Sequence, residues 1–154
     1  MDVPYRPDPL LVEGLRRIRA RGWHQAHEPL EEAWRATAGD ERRCFLRGLI
    51  HATDALGHLS QGSPLSAFQQ WSKNGASWKG LPPSVEGVAI GSWRATLERF
   101  LRDEACLAER VKAQLEGGVA ADPGVDRAVL PPLPLEETWP QPPLDSWLEE
   151  RMRG

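Results

Sequence analysis

The sequence predicts an all-α protein, a compact bundle of about five helices followed by an extended, proline-rich C-terminal segment. Three observations predict it. Apolar residues recur at three- and four-residue spacings over most of positions 1–118, the period of one helix face. No stretch keeps the apolar–polar alternation of a half-buried strand; Val85 to Ile90 comes nearest, and Gly87 interrupts it. Gly, Ser and Pro collect between the periodic stretches, where helices start and stop.

The first helix carries the stripe Leu10, Leu11, Gly14, Leu15 and Ile18, with Arg16, Arg17, Arg19 and Arg21 around it, and Gly22 reads as its C-terminal stop. The second runs from about His24 to Ala38. Pro29 has no N–H to donate, so it fits best in a first turn, which puts the start near Gln25 or Ala26. Trp23, Ala26, Leu30, Ala33 and Thr37 form its core stripe, and His27, Glu31 and Trp34 the stripe beside it. The third helix, about Glu41 to Gln61, spaces Phe45, Leu49, Ala52, Leu56 and Leu59 in a packing seam that Leu46 and Ile50 widen. So wide an apolar face marks a central helix, with Arg47, His51, Asp54 and His58 as its polar stripe. Gly62 closes it. Ser63-Pro64 then reads as N-cap and first residue of a fourth helix, Leu65 to about Ser72. Lys73 to Gly91 is a break. A last long helix, capped by Ser92, carries Trp93, Leu97, Phe100, Leu101, Leu107, Val111 and Leu115, and Gly117-Gly118 end it.

Two regions follow: a helical bundle over 1–118 and an irregular segment over 119–154. In the second, Pro123, Pro131, Pro132, Pro134, Pro140, Pro142 and Pro143 prevent regular structure. It also holds Val129, Leu130, Leu133, Leu135, Trp139, Leu144 and Trp147, anchors that a pure linker lacks, so it is expected to dock on the bundle. Asp145 is placed to cap a short terminal helix from Ser146 to Met152.

The composition excludes several classes. A formal net charge of −3 argues against a dedicated nucleic-acid binder. No apolar run reaches the roughly 20 residues that span a bilayer, and no signal peptide precedes the first helix, so a cytoplasmic location is expected. Cys44 and Cys106 stand far apart in no metal-binding spacing. No P-loop, GxGxxG or GxSxG turn occurs. The arginines of the first helix read as a solvated face that the acidic C-terminal segment can neutralise.

All four histidines, His24, His27, His51 and His58, lie on the second and third helices. Short loops make consecutive helices neighbours, so the stripe His27, Glu31, Trp34 is expected to face His51, Asp54 and His58. These six residues are the candidate site, and three chemistries fit them. A His–carboxylate network beside a tryptophan can simply satisfy polar groups at the edge of a core and fix helix register. The same groups in a crevice can orient a small polar ligand, with Trp34 as a flat wall, or receive a protein partner. They can also supply ligands for zinc or another divalent metal: His27, His51 or His58 with Glu31 or Asp54. HExxH itself is absent, because His27-Glu28 is not followed by a histidine at position 31.

The run Gly22-Trp23-His24-Gln25-Ala26-His27-Glu28, Leu30-Glu31-Glu32 and Trp34 resembles the HxxxExxW motif of the domain of unknown function 309 family. Phe45, Gly48-Leu49-Ile50, Ala52, Ala55, His58 and Gly62 resemble that family's central helix, and Ala67 its following short helix. The chain departs from the pattern at His51, where the family usually has glutamine, at Gly57, where an aromatic is common, and at Ser63, where asparagine is common. The resemblance implies an all-helical bundle and an HxxxExxW motif of functional interest, and it implies no substrate. The expected function is a small-ligand or protein-binding module without a committed cofactor, the alternative being a metal-dependent hydrolase on the same residues. A protein partner or a second copy of the chain remains open; nucleic acid and membrane are not expected.

Overall fold

The computed structural model describes residues 7–116 and 138–153. It is all-α: α1 Pro9–Arg19, α2 Trp23–Ala36, α3 Asp40–Ser60, α4 Pro64–Asn74, α5 Ile90–Glu116 and α6 Ser146–Arg153, with a 3-10 turn over Gly75–Trp78. Isolated antiparallel bridges join Val85 to Val88 and Val88 to Leu144, and no strand forms among the described residues. Each helix from α1 to α4 packs on the next in sequence.

Local chemistry explains the starts and stops. The Asp8 carboxylate accepts from the Leu10 N–H at 2.9 Å and caps α1, with Pro9 in the first turn where its missing N–H costs nothing. The α1–α2 turn departs from the sequence reading. Arg21, not Gly22, takes the left-handed conformation, at φ 61, and Gly22 (φ −86) is the N-cap of α2. The Gly22 N–H bonds the Arg17 carbonyl at 2.8 Å, which leaves the left-handed position to the residue before it.

α2 also begins earlier than Gln25, at Trp23, so Pro29 lies inside the helix and not in its first turn. Without the Pro29 N–H, the Gln25 carbonyl four residues back has no helical donor. The Arg17 guanidinium supplies one, Nη1 donating to that carbonyl at 2.8 Å. The helix is therefore completed from its neighbour, a tertiary contact that periodicity within α2 does not reveal.

The core stripes expected on α2 and α3 are buried: Ala26, Leu30, Phe45, Leu49, Ala52, Leu56 and Leu59 are all solvent-inaccessible. α3 closes at Gly62 (φ 81), where the Ser63 N–H reaches back to the His58 carbonyl at 3.0 Å. Trp78 packs edge-on to Trp71 and lies 5.8 Å from Trp93. Its indole N–H donates to the Phe45 carbonyl at 3.0 Å. Only glycine at position 48 permits this, because a Cβ there would sit 2.0 Å from the indole nitrogen.

α4 runs two residues past Ser72, and α5 starts at Ile90, so Ser92 lies within the helix and does not cap it. The α5 face also divides. Trp93, Leu97 and Leu101 are buried, whereas Leu107 is 41% exposed. The expected helix end at Gly117-Gly118, the domain boundary near residue 118 and the prolines and apolar anchors up to Leu135 lie outside the described residues.

Residues 138–153 pack on the bundle. Trp139 stacks on Trp23 at 5.9 Å and lies 6.1 Å from Phe100. α6 buries Leu148 and Met152. Arg16 donates to the Met152 carbonyl at 3.1 Å, and Arg19 pairs with Glu149 at 2.6 Å. Just before α5, and paired through Val88 with Leu144 ahead of α6, lies the turn Val85–Val88, with Glu86 (φ 50) and Gly87 (φ 86) both left-handed, as a two-residue type I′ turn requires. Arg42 grips Glu86 at 2.9 Å and also reaches Asp8 at 2.9 Å and the Thr37 hydroxyl at 2.8 Å. Burial alone would lower the Arg42 pKa, but Glu86 and Asp8 outweigh it and raise it.

Candidate functional site

The polar stripes of α2 and α3 meet. His27 Nδ1 lies 3.2 Å from Glu31 Oε2, one turn along α2, and Nε2 lies 3.7 Å from Asp54 Oδ1 on α3. Both ring nitrogens thus face carboxylates on two helices. Glu31 also accepts from Arg35 at 2.7 Å.

Asp54 is the hub. Burial raises its pKa, while His27, His51 and His58 pull it down and Glu31 pushes it further up. His51 moves the other way: burial lowers its pKa, Asp54 opposes that, and Arg47 and His27 add to it. Five of the six sequence-selected residues therefore share one electrostatic neighbourhood.

Trp34 is differently placed. The Arg43 guanidinium carbon lies 4.2 Å from its ring centroid and that of Arg47 5.4 Å away, both from α3. Cation–π contacts occupy the ring that the sequence offered as a ligand wall, so Trp34 serves here as a clasp between α2 and α3.

The polar cluster borders a cleft of about 370 Å³, and Asp54 and His58 belong to both. Facing residues come from the α1–α2 turn and the start of α2, Arg21, Trp23, His24 and Gln25, and the rest of the lining, Thr53, Gly57, Ser60 and Gln61, from the C-terminal half of α3 and its cap. Sequence reasoning placed Trp23 in the core and Arg21 on a solvated face. The signal that could have drawn them in is adjacency: Arg21, Trp23 and His24 are three polar-capable side chains around a single glycine.

The hydroxyls on this cleft are already committed. Thr53 donates to the Ile50 carbonyl at 2.7 Å and Ser60 to the Gly57 carbonyl at 2.7 Å. Neither bonds a histidine, so the described cleft offers proton-exchanging and hydrogen-bonding groups rather than an activated hydroxyl. Cys44 and Cys106 are free thiols, and neither lines it. Among the described residues, no three His, Cys, Asp or Glu side chains are placed to share a metal ion. His27, Glu31, His51 and His58 thus form no ready ligand set here. No helix among the described residues is long and apolar enough to cross a membrane.

An uncharacterized protein of Aquifex aeolicus (strain VF5) is 32% identical over 92 residues, 60% of this chain and 28% of that protein. The match thus spans less than a third of the relative's length. No solved structure matches the chain. Residues 11–69, which hold the His27–Glu31–Trp34 stripe and the Asp54–His58 wall, match the family model described as a domain of unknown function (DUF309), so over that segment the chain is similar to the domain of unknown function 309 family.

Proposed function

We propose that the protein is a small-ligand-binding module whose site is the cleft beside Asp54 and His58. One observation carries this reading: the charged cluster between α2 and α3 opens into a concave space of about 370 Å³, within the size range of small-molecule sites. A purely structural network has no need of adjoining space. His27 and Glu31 fasten α2 to α3 and orient Asp54, while Asp54 and His58 meet the ligand. A metal-dependent hydrolase would require three protein ligands and an open position, and no gathering of side chains among the described residues supports that alternative.

The test is a fragment screen by thermal shift. A ligand at about 100 times its Kd stabilises by roughly 2.7 kcal/mol, enough to raise the Tm by several degrees in a domain of this size. Fragments that raise the Tm of the wild type are expected to lose that effect with His58→Ala. Equal shifts in the two proteins, or no stabilising fragment from a diverse library, would contradict the reading.

A further inference from the structure

Two residues that line the cleft carry buried hydrogen-bond donors for which the described residues provide no acceptor. Trp23 lines it with a side chain only 5% exposed, and its indole N–H has no partner among the described residues. The same holds for Nε of Arg21, which also makes no ion pair there. Buried donors without acceptors are rare in folded proteins, because each carries an unreturned desolvation cost. Two such donors, on residues that line one cleft, point to an acceptor from outside the described residues.

The backbone adds to this. Gly22 caps α2 with no side-chain bond, and the first turn holds no acidic residue. The N–H groups of Trp23, His24 and Gln25 therefore end the helix without intrahelical acceptors, at the positive end of its dipole. All three residues line the cleft. Arg21 is held there at φ 61, a conformation that glycine would adopt without strain. His58 also lines the cleft.

We propose that the cleft binds an oxyanion, the phosphate or carboxylate group of a small ligand, through Arg21, the Trp23 indole N–H, His58 and the first turn of α2. This rests on the ligand-binding reading above and names its chemical class. Among the described residues on these walls Asp54 is the one acid, and it lies near His27, His51 and His58, whose positive charge on protonation offsets it. It sets the polarity of the ligand: the oxyanion sits toward Arg21 and the α2 N-terminus, and a donor group of the same ligand faces Asp54.

The experiment titrates inorganic phosphate and, separately, acetate at low ionic strength, following the Trp23 indole resonance by ¹H–¹⁵N NMR. Saturable movement of that resonance is expected with at least one anion, and the comparison decides between phosphate and carboxylate. Arg21→Gly is the decisive variant. It relieves the left-handed strain, so its Tm should equal or exceed that of the wild type, while the Kd for the anion rises at least tenfold. Trp23→Phe, which removes only the N–H among polar groups, should also weaken binding. Arg102→Gln, on the exposed side of α5, should bind as the wild type does. Unchanged affinity in a folded Arg21→Gly protein, or an equal loss in Arg102→Gln, would overturn the oxyanion assignment. Silence toward both anions while fragments still bind at His58 would overturn it and leave the ligand-binding reading standing. Silence toward anions and fragments alike would remove both.

Discussion

At the scale of single residues, two positions show how context outranks propensity. Position 48 is a glycine in the middle of a helix, where alanine would ordinarily gain about 1 kcal/mol. Here the Trp78 indole occupies the space a Cβ needs and donates to the Phe45 carbonyl through it. Gly48→Ala should therefore cost about 2 kcal/mol net, from overpacking and a lost buried hydrogen bond, read as a lower denaturation midpoint at unchanged m-value. His51 is the second case. Burial, Arg47 and His27 hold its folded-state pKa below the ordinary 6.5, with Asp54 opposing them. The folded protein then binds the His51 proton less tightly than the unfolded chain does. Stability contributed by this group is present above pH 6.5 and lost as the pH falls through the lowered value. His51→Gln, which places the residue more usual in the resembled family, should flatten the stability profile in that window. An unchanged slope as the pH falls below 6.5 would show that His51 does not titrate this way. The residues His27, Glu31, Asp54, His51 and His58 were legible in the sequence because helical spacing places them on two facing stripes. The burial that moves Asp54 and His51 in opposite directions was not legible, because it depends on what covers each side chain.

At the scale of elements, the helices were readable and their joints were not. The apolar period placed the cores of α2 and α3, since burial follows periodicity directly. The start of α2 was misplaced because Pro29 has a local rule, the preference for a first turn, and the structure answers it with a nonlocal contact. Arg17 on α1 donates to the Gln25 carbonyl that Pro29 leaves free. A double-mutant cycle should expose that coupling. Arg17→Ala should cost about 1 kcal/mol in the wild type, since its exposed pairing with Glu13 contributes little. In a Pro29→Ala background, where residue 29 supplies its own N–H, the same change should cost less than half as much. Equal costs in the two backgrounds would mean that Arg17 does not complete the helix. The same limit hid the cleft: Arg21 adopts the left-handed position through the pairing of Gly22 with Arg17, a choice between two neighbouring residues that composition does not decide.

At the scale of the whole molecule, the C-terminal residues close the core that α1 to α5 leave open. Trp139 covers Trp23, and α6 buries Leu148 and Met152 while Arg16 and Arg19 of α1 bind its backbone and Glu149. Fully burying each large apolar side chain contributes about 1.5–3 kcal/mol. A chain ending at Gly118 should accordingly melt several degrees lower than the full chain and expose apolar surface to a hydrophobic dye. An unchanged melting temperature would show that these contacts carry no stability. The truncated chain also uncovers Trp23, so ligand binding and C-terminal docking meet at one side chain. That makes Trp23 the most direct reporter of the central claim, a ligand cleft at the α2–α3 polar cluster. The chain has seven tryptophans, and Trp71 and Trp78 pack together away from the residues that line the cleft. The measurement is the set of indole ¹H–¹⁵N resonances during titration with a stabilising fragment. Movement of the Trp23 signal with Trp71 and Trp78 unchanged is the predicted result; movement confined to Trp71 and Trp78, with Trp23 still, would contradict it.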